Sequence, residues 1–234
     1  MLVAQYFINR FRRIWPNPVI GTVCLSFVIL LNVYVADRAE AQEQPDDSGH
    51  IVDYYLPLAK AGNTEAQYLL ALGYERGLAE AVDRRAAAKW YREAAQSGHT
   101  RAAYRLGLLL LRGDSVPEDR AEAVRFFKQA AEAKHPEALY YLGYIAERGL
   151  NGSSDNDAAL DYFERAADLG LVAAMKAAAS LHVRRPDQPQ NLPKAWYWLN
   201  LAAKSHDKEA LDMKGKLESM MTASQIESAK ALSR

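Results

Sequence analysis

Residues 66–101 read AQYLLALGYERGLAEAVDRRAAAKWYREAAQSGHTR, and residues 102–137 read AAYRLGLLLLRGDSVPEDRAEAVRFFKQAAEAKHPE. The two stretches are each 36 residues long and agree column by column. Stepping the same distance along the chain gives Ala66, Ala102, Ala138, Ala174 and Ala210. Counting that alanine as offset 0, offset 4 is Leu70, Leu106 and Leu142, and offset 5 is Ala71, Gly107, Gly143 and Ala179. Offset 11 is Gly77, Gly113 and Gly149, with Arg185 in the fourth copy. Offset 21 is Ala87, Ala123, Ala159 and Ala195, and offset 24 is Trp90, Phe126, Tyr162 and Trp198. A doubled alanine follows at offsets 28 and 29, from Ala94–Ala95 to Ala202–Ala203. A fixed period without insertion or deletion marks stacked repeats.

The columns have a physical reading. Offsets 0, 4 and 8 share one face of a first helix, and offsets 21, 24 and 28 share one face of a second. Small residues at offsets 5, 28 and 29 let helices approach closely, and the aromatic at offset 24 fills the space between them. Glycine at offset 11 suits the left-handed turn that ends the first helix. Each unit is a helix–turn–helix that buries its apolar face only against its neighbours. The expected fold is all-α: a right-handed α-solenoid with units near 66–101, 102–137, 138–173 and 174–209.

The run Glu65-Ala66-Gln67-Tyr68 through Gly77, followed by Lys89-Trp90-Tyr91-Arg92-Glu93-Ala94-Ala95, resembles Sel1-like repeats, a subgroup of the tetratricopeptide-like solenoids. The resemblance covers about residues 51–217. It implies an interaction scaffold of the kind used in signalling, protein quality control or envelope biology.

The solenoid is expected over residues 50–221 with half-units at both ends. Ile51, Tyr54, Leu58 and Ala59 fall in second-helix columns, so residues 50–61 form a leading helix with Pro57 inside it, where a proline costs a hydrogen bond. At the other end Thr222-Ala-Ser-Gln225 reads as a capping box opening a closing helix within residues 222–234. Ile226, Ala229 and Leu232 face the array from it. The fourth unit lacks both glycines and carries Pro186, Pro189 and Pro193, which predicts a splayed helix pair or an extended turn.

The N-terminus reads as an export signal. Arg10, Arg12 and Arg13 precede an uncharged run from Val19 to Ala36, and Ala39 and Ala41 stand at the spacing a signal peptidase reads. Residues 1–41 are a signal peptide cleaved after Ala41, or a signal-anchor helix held in the membrane through residues 19–36. Residues 42–49 read as a linker. Both outcomes put the repeats on the far side of the membrane; with the family resemblance this reads as the periplasm of a bacterial envelope, a eukaryotic lumenal protein being the alternative. Cys24 follows Val23 inside the apolar run, which argues against lipidation, and a lone cysteine excludes a disulfide within the chain.

Half of the residues (50%) are apolar, and 29 Lys and Arg balance 29 Asp and Glu, so the chain has neither the charge of a nucleic-acid binder nor the composition of a disordered one. No zinc-ligand spacing, nucleophile elbow or phosphate-binding glycine loop occurs, so no metal, cofactor or catalytic residue is expected. His99 and His135 are equivalent turn residues, and Asp155 and Asp157 read as caps of the next helix. A non-catalytic scaffold is therefore the first expectation, and a cell-wall-acting enzyme the alternative.

One column lies outside the core pattern. Offset 10 is arginine in every unit: Arg76, Arg112, Arg148 and Arg184. A cation at a helix C-terminus is favourable by about 0.3–1 kcal/mol, which is one reading. The other is a ladder of guanidinium groups along the concave groove, suited to carboxylates. Offset 2 supplies Tyr68, Tyr104 and Tyr140, with Tyr144 nearby at offset 6. Tyrosine and arginine together have the composition of a protein-binding hot spot. These eight residues are the candidate partner site.

Overall fold

The structure, a computed structural model, describes residues 50–78, 81–113, 116–185 and 188–232. The expected signal or anchor segment 1–41, the linker 42–49, Cys24 and Pro186 lie outside the described residues. Among those described there are eleven helices and no strands. They are α1 (His50–Lys60), α2 (Thr64–Arg76), α3 (Arg84–Gln96), α4 (Thr100–Arg112), α5 (Arg120–Glu132), α6 (Pro136–Arg148), α7 (Asn156–Asp168), α8 (Val172–Val183), α9 (Asn191–Lys204), α10 (Lys208–Glu218) and α11 (Ala223–Leu232). Helices α2/α3, α4/α5, α6/α7 and α8/α9 are the four repeat pairs, and each pair packs on the next.

Local chemistry sets the helix boundaries. Asp83, Asp119 and Asp155 cap the second helices with their carboxylates; the Asp155 carboxylate accepts from the N–H of Asp157 and of Ala158. The same aspartates donate their backbone N–H back to the first helix, to the carbonyls of Tyr74, Leu110 and Ala146. Gly77, Gly113 and Gly149 end the first helices at φ +72°, +66° and +63°, the left-handed region expected of them. His99 caps α4 by accepting the Ala102 N–H on Nδ1 at 3.1 Å.

The deepest contact differs from the one expected. Offset 24 is only partly core: Phe126 and Trp198 are buried, while Trp90 and Tyr162 are half-buried. The neighbouring column, Tyr91, Phe127, Phe163 and Leu199, is buried throughout. In the second and third repeats the side chain of this column fills the notch left by the glycine at offset 5. A Cβ added at Gly107 would lie 2.7 Å from Phe127 Cε1, and one at Gly143 would lie 2.7 Å from Phe163 Cε1. The doubled alanines pave the space between repeats; Ala94, Ala95, Ala130, Ala166 and Ala202 are fully enclosed.

The fourth pair is neither splayed nor extended. Residues 184–190 join α8 to α9 over the same length as 77–83, 113–119 and 149–155 join the earlier pairs. Asn191 stands where the other repeats have the capping aspartate, and His182 stands where Tyr74, Leu110 and Ala146 stand. Side chains replace the missing backbone tie: Asn191 Oδ1 lies 3.2 Å from His182 Nδ1. Asn191 Nδ2 donates to the Arg185 carbonyl, so its oxygen faces the ring. His182 Nε2 lies 2.9 Å from Glu164 Oε1. That hydrogen bond holds the Glu164 carboxyl below the usual range. Pro193 falls in the first turn of α9, where its missing N–H has no partner to lose.

Both ends are closed. The α1 helix continues through Pro57, and Ala59 is buried. Of the four residues expected to pack, Ile51 lies against Gly73 and Ala59 is buried, while Tyr54 and Leu58 are exposed; Val52, Tyr55 and Leu56 pack beside Ala59. The capping box forms as read: Gln225 Oε1 accepts the Thr222 N–H at 2.9 Å, and Thr222 Oγ1 accepts the Gln225 N–H at 3.3 Å. Helix α11 packs on α9 with Ala229 buried and Ile226 half-buried, while Leu232 stays exposed because the array ends beneath it.

The Gly107→Ala substitution is expected to lower stability by about 1–3 kcal/mol despite alanine's better helix propensity, because Phe127 occupies the space. Adding Phe127→Leu, which reproduces the Ala179–Leu199 pairing of the fourth repeat, is expected to recover part of that loss. Denaturant titration of the two variants measures both.

Candidate functional site

The four candidate arginines share one location. Arg76, Arg112 and Arg148 are the last residues of α2, α4 and α6, and Arg184 follows α8; all four side chains are exposed. What lies beside them is decided one position earlier, at offset 9, which reads Glu75, Leu111, Glu147 and Val183. Glu75 accepts a hydrogen bond from the Tyr91 hydroxyl at 2.6 Å and pairs with Arg105 of the next repeat at 3.5 Å. Glu147 pairs with Arg184 of the next repeat at 2.7 Å. Where offset 9 is glutamate, an ion pair therefore bridges the junction between repeats. Where it is Leu111 or Val183, the junction opens.

The first open junction is a cleft of about 380 Å³ between the second and third repeats. Leu111 and Arg112 line it from α4, Arg120 from α5, and Tyr140, Tyr141 and Tyr144 from α6, with Leu150 closing one end. Arg120 is fixed there by Glu118 and by a 3.3 Å hydrogen bond to the Leu150 carbonyl. Arg112 has no ion pair among the described residues. The rings are anchored to the core: Tyr141 stacks on Phe127 at 5.5 Å, and Tyr140 abuts Phe163 at 5.4 Å. Tyr144 lies 6.4 Å from Tyr141, and the Arg148 guanidinium sits 5.8 Å above the Tyr144 ring. Burial raises the pKa of the Tyr140 phenol and pushes Tyr104 up to about 12, so both are protonated donors at neutral pH.

The second open junction is a cleft of about 370 Å³ between the fourth repeat and α10. Val183, Met213, Leu217 and Met220 give it an apolar floor, with Arg184 and Lys216 at the rim.

The structure thus brings Arg112, Tyr140 and Tyr144 into one cleft, with Arg148 beside it. Tyr104 lies behind, 6.1 Å from Tyr141 and stacked on His135 at 4.6 Å. Tyr68 is buried, stacked on His99 at 4.5 Å and covered by Arg101. Arg76 and Arg184 stand at other junctions. Sequence reasoning passed over Leu111, Arg120, Tyr141 and Leu150. The alternation of offset 9 between acidic and aliphatic residues was the available signal.

Among the described residues, no group of three His, Cys, Asp or Glu side chains is placed to hold a metal ion, and no helix is long and apolar enough to cross a membrane.

The Sel1 repeat model matches residues 64–99, 100–135, 136–171 and 172–207, and the chain belongs to the Sel1 repeat family. The fold is similar to that of c5321, a protective antigen present in uropathogenic Escherichia coli strains (TM-score 0.66, 25% identity, 78% of this chain). The match spans 41% of that antigen's length. It is also similar to a Sel1 repeat protein from Oxalobacter formigenes (TM-score 0.61, 24% identity), with 74% of each chain covered. No curated protein sequence matches. Sel1 repeats generally mediate protein–protein binding, and the fold is typically a non-catalytic scaffold.

His135 stands at the N-cap position of α6 beneath Tyr104 without a side-chain cap hydrogen bond. Its pKa is lowered, chiefly by burial, with Arg101 and Arg105 acting in the same direction and Glu137 opposing. The folded state therefore resists the proton that the unfolded chain takes up near pH 6.5. Stability is expected to hold above that pH and to fall as the solution is acidified through it. His135→Asn, which installs the cap found at Asn63, is expected to flatten that dependence in denaturant titrations between about pH 7.5 and about pH 5.5.

Proposed function

We propose that this protein is a non-catalytic interaction scaffold of the bacterial cell envelope, binding a protein or peptide in the cleft between the second and third repeats. One observation carries the reading. At that junction Leu111 stands where Glu75 and Glu147 bridge the others, and Arg112, without an ion pair among the described residues, lies beside three tyrosines packed on the core. Rigid aromatic side chains with an uncompensated guanidinium make a binding hot spot, because the rings are already ordered and lose little entropy on contact.

The envelope assignment rests on residues 1–41, where arginines precede an uncharged run and an alanine-rich cleavage site. The repeats then work in the periplasm, soluble after cleavage or tethered through residues 19–36. The charge balance of the chain favours a protein partner over nucleic acid.

The test is affinity capture from envelope extract with the tagged full chain beside its Arg112→Ala/Tyr144→Ala variant. Loss of a hot-spot pair worth about 2 kcal/mol or more weakens binding roughly thirtyfold, so the variant is expected to lose the partner. A partner retained equally by both chains would move the binding surface elsewhere.

A further inference from the structure

The two open junctions lie two repeats apart on the same run of first helices, with a bridged junction between them. Their chemistry differs. Arg112, Arg120 and the phenols of Tyr140, Tyr141 and Tyr144 line the first, and no carboxylate lines it. Arg120 is already held by Glu118, but the Arg112 guanidinium and the phenol O–H groups are donors in search of an acceptor anion. The second has six apolar side chains and already-paired cations: Arg184 is held by Glu147 and Lys216 by Asp212 at 2.7 Å. Its floor asks for an apolar group. Met220, 62% exposed, is an unbranched, adaptable side chain left in water.

We infer that this face reads a bipartite segment of a partner protein, with carboxylate side chains in the Arg112–Tyr144 cleft and an apolar side chain in the Val183–Met220 cleft. The inference rests on the proposed binding role of the first cleft and adds the second site and the partner's chemistry. Charge complementarity selects an acidic occupant for the first cleft. The shared run of first helices carries the same strand to the second. Packed helices stand about 8–10 Å apart, so two repeats separate the clefts by roughly 16–20 Å. An extended chain at about 3.3 Å per residue covers that with about five or six residues.

The test is fluorescence polarisation with the full chain in mild detergent. The probes are labelled peptides carrying three glutamates, a Gly-Ser spacer and two leucines, with spacers of about two, about six and about twelve residues. The six-residue spacer is expected to bind at least about tenfold more tightly than either end alone. Leu111→Glu/Tyr141→Arg copies the Glu75–Arg105 bridge into the first cleft, and Val183→Glu places an acid in the second. Each is expected to reduce affinity to that of a one-ended peptide. Arg112→Gln and Met220→Ser, both at exposed positions, are expected to do the same without touching the core. Absence of binding, indifference to spacer and to these substitutions, or equal binding of a single-stranded oligonucleotide of matched charge would overturn the inference. Loss of the envelope partner by the Arg112→Ala/Tyr144→Ala variant would still stand in that event, so the two readings fail separately.

Discussion

A large side chain seated in a small-residue notch governs this structure. Phe127 lies against Gly107 and Phe163 against Gly143, so close that a single added carbon has no room. That fit sets how near the two helices of a repeat stand and fixes their rotation. The alanines at offsets 28 and 29 then let the next repeat approach as closely, and the core continues from α2 to α10 without a break. At such density a methylene is felt energetically, which is why the period tolerates no insertion. The fourth repeat keeps the geometry with Ala179 and Leu199. Its turn closes through His182 and Asn191, where the others use backbone.

Because the scaffold is so regular, departures from regularity stand out as features of the surface. The first-helix C-termini all carry arginine, but the residue before it alternates between glutamate and an aliphatic side chain. A glutamate recruits a cation from the next repeat and seals the junction. Leucine or valine cannot, and the space fills with whatever the next first helix presents: tyrosines at one junction, methionines at the other. An exposed ion pair contributes little to stability, typically about 0–1 kcal/mol. The consequence of the alternation is shape and chemistry, with two openings of different character on one face.

Much of this was legible in the chain. The period, the αL glycines, the Asp155 cap, the C-terminal capping box and the family all follow from the residues, because each reports a local backbone requirement. Tertiary choices were harder to read. Offsets 24 and 25 are both large and apolar in most copies, and periodicity alone does not say which one meets the notch. In α1 it is Tyr55 and not Tyr54 that packs, and the two look alike in sequence. Of the tyrosine column, Tyr68 is buried under Arg101 and His99, whereas Tyr140 reaches the cleft. The difference arises from neighbours one repeat away, which the column itself does not contain.

On the proposed reading, the residue at offset 9 decides where a partner docks. A photo-crosslinking amino acid placed in turn at Glu75, Leu111, Glu147 and Val183 in living cells addresses it, whatever the partner's identity. Adducts to another protein from positions 111 and 183, with none from 75 and 147, are the result this account predicts. Adducts from 75 or 147 in place of 111 and 183 would contradict it.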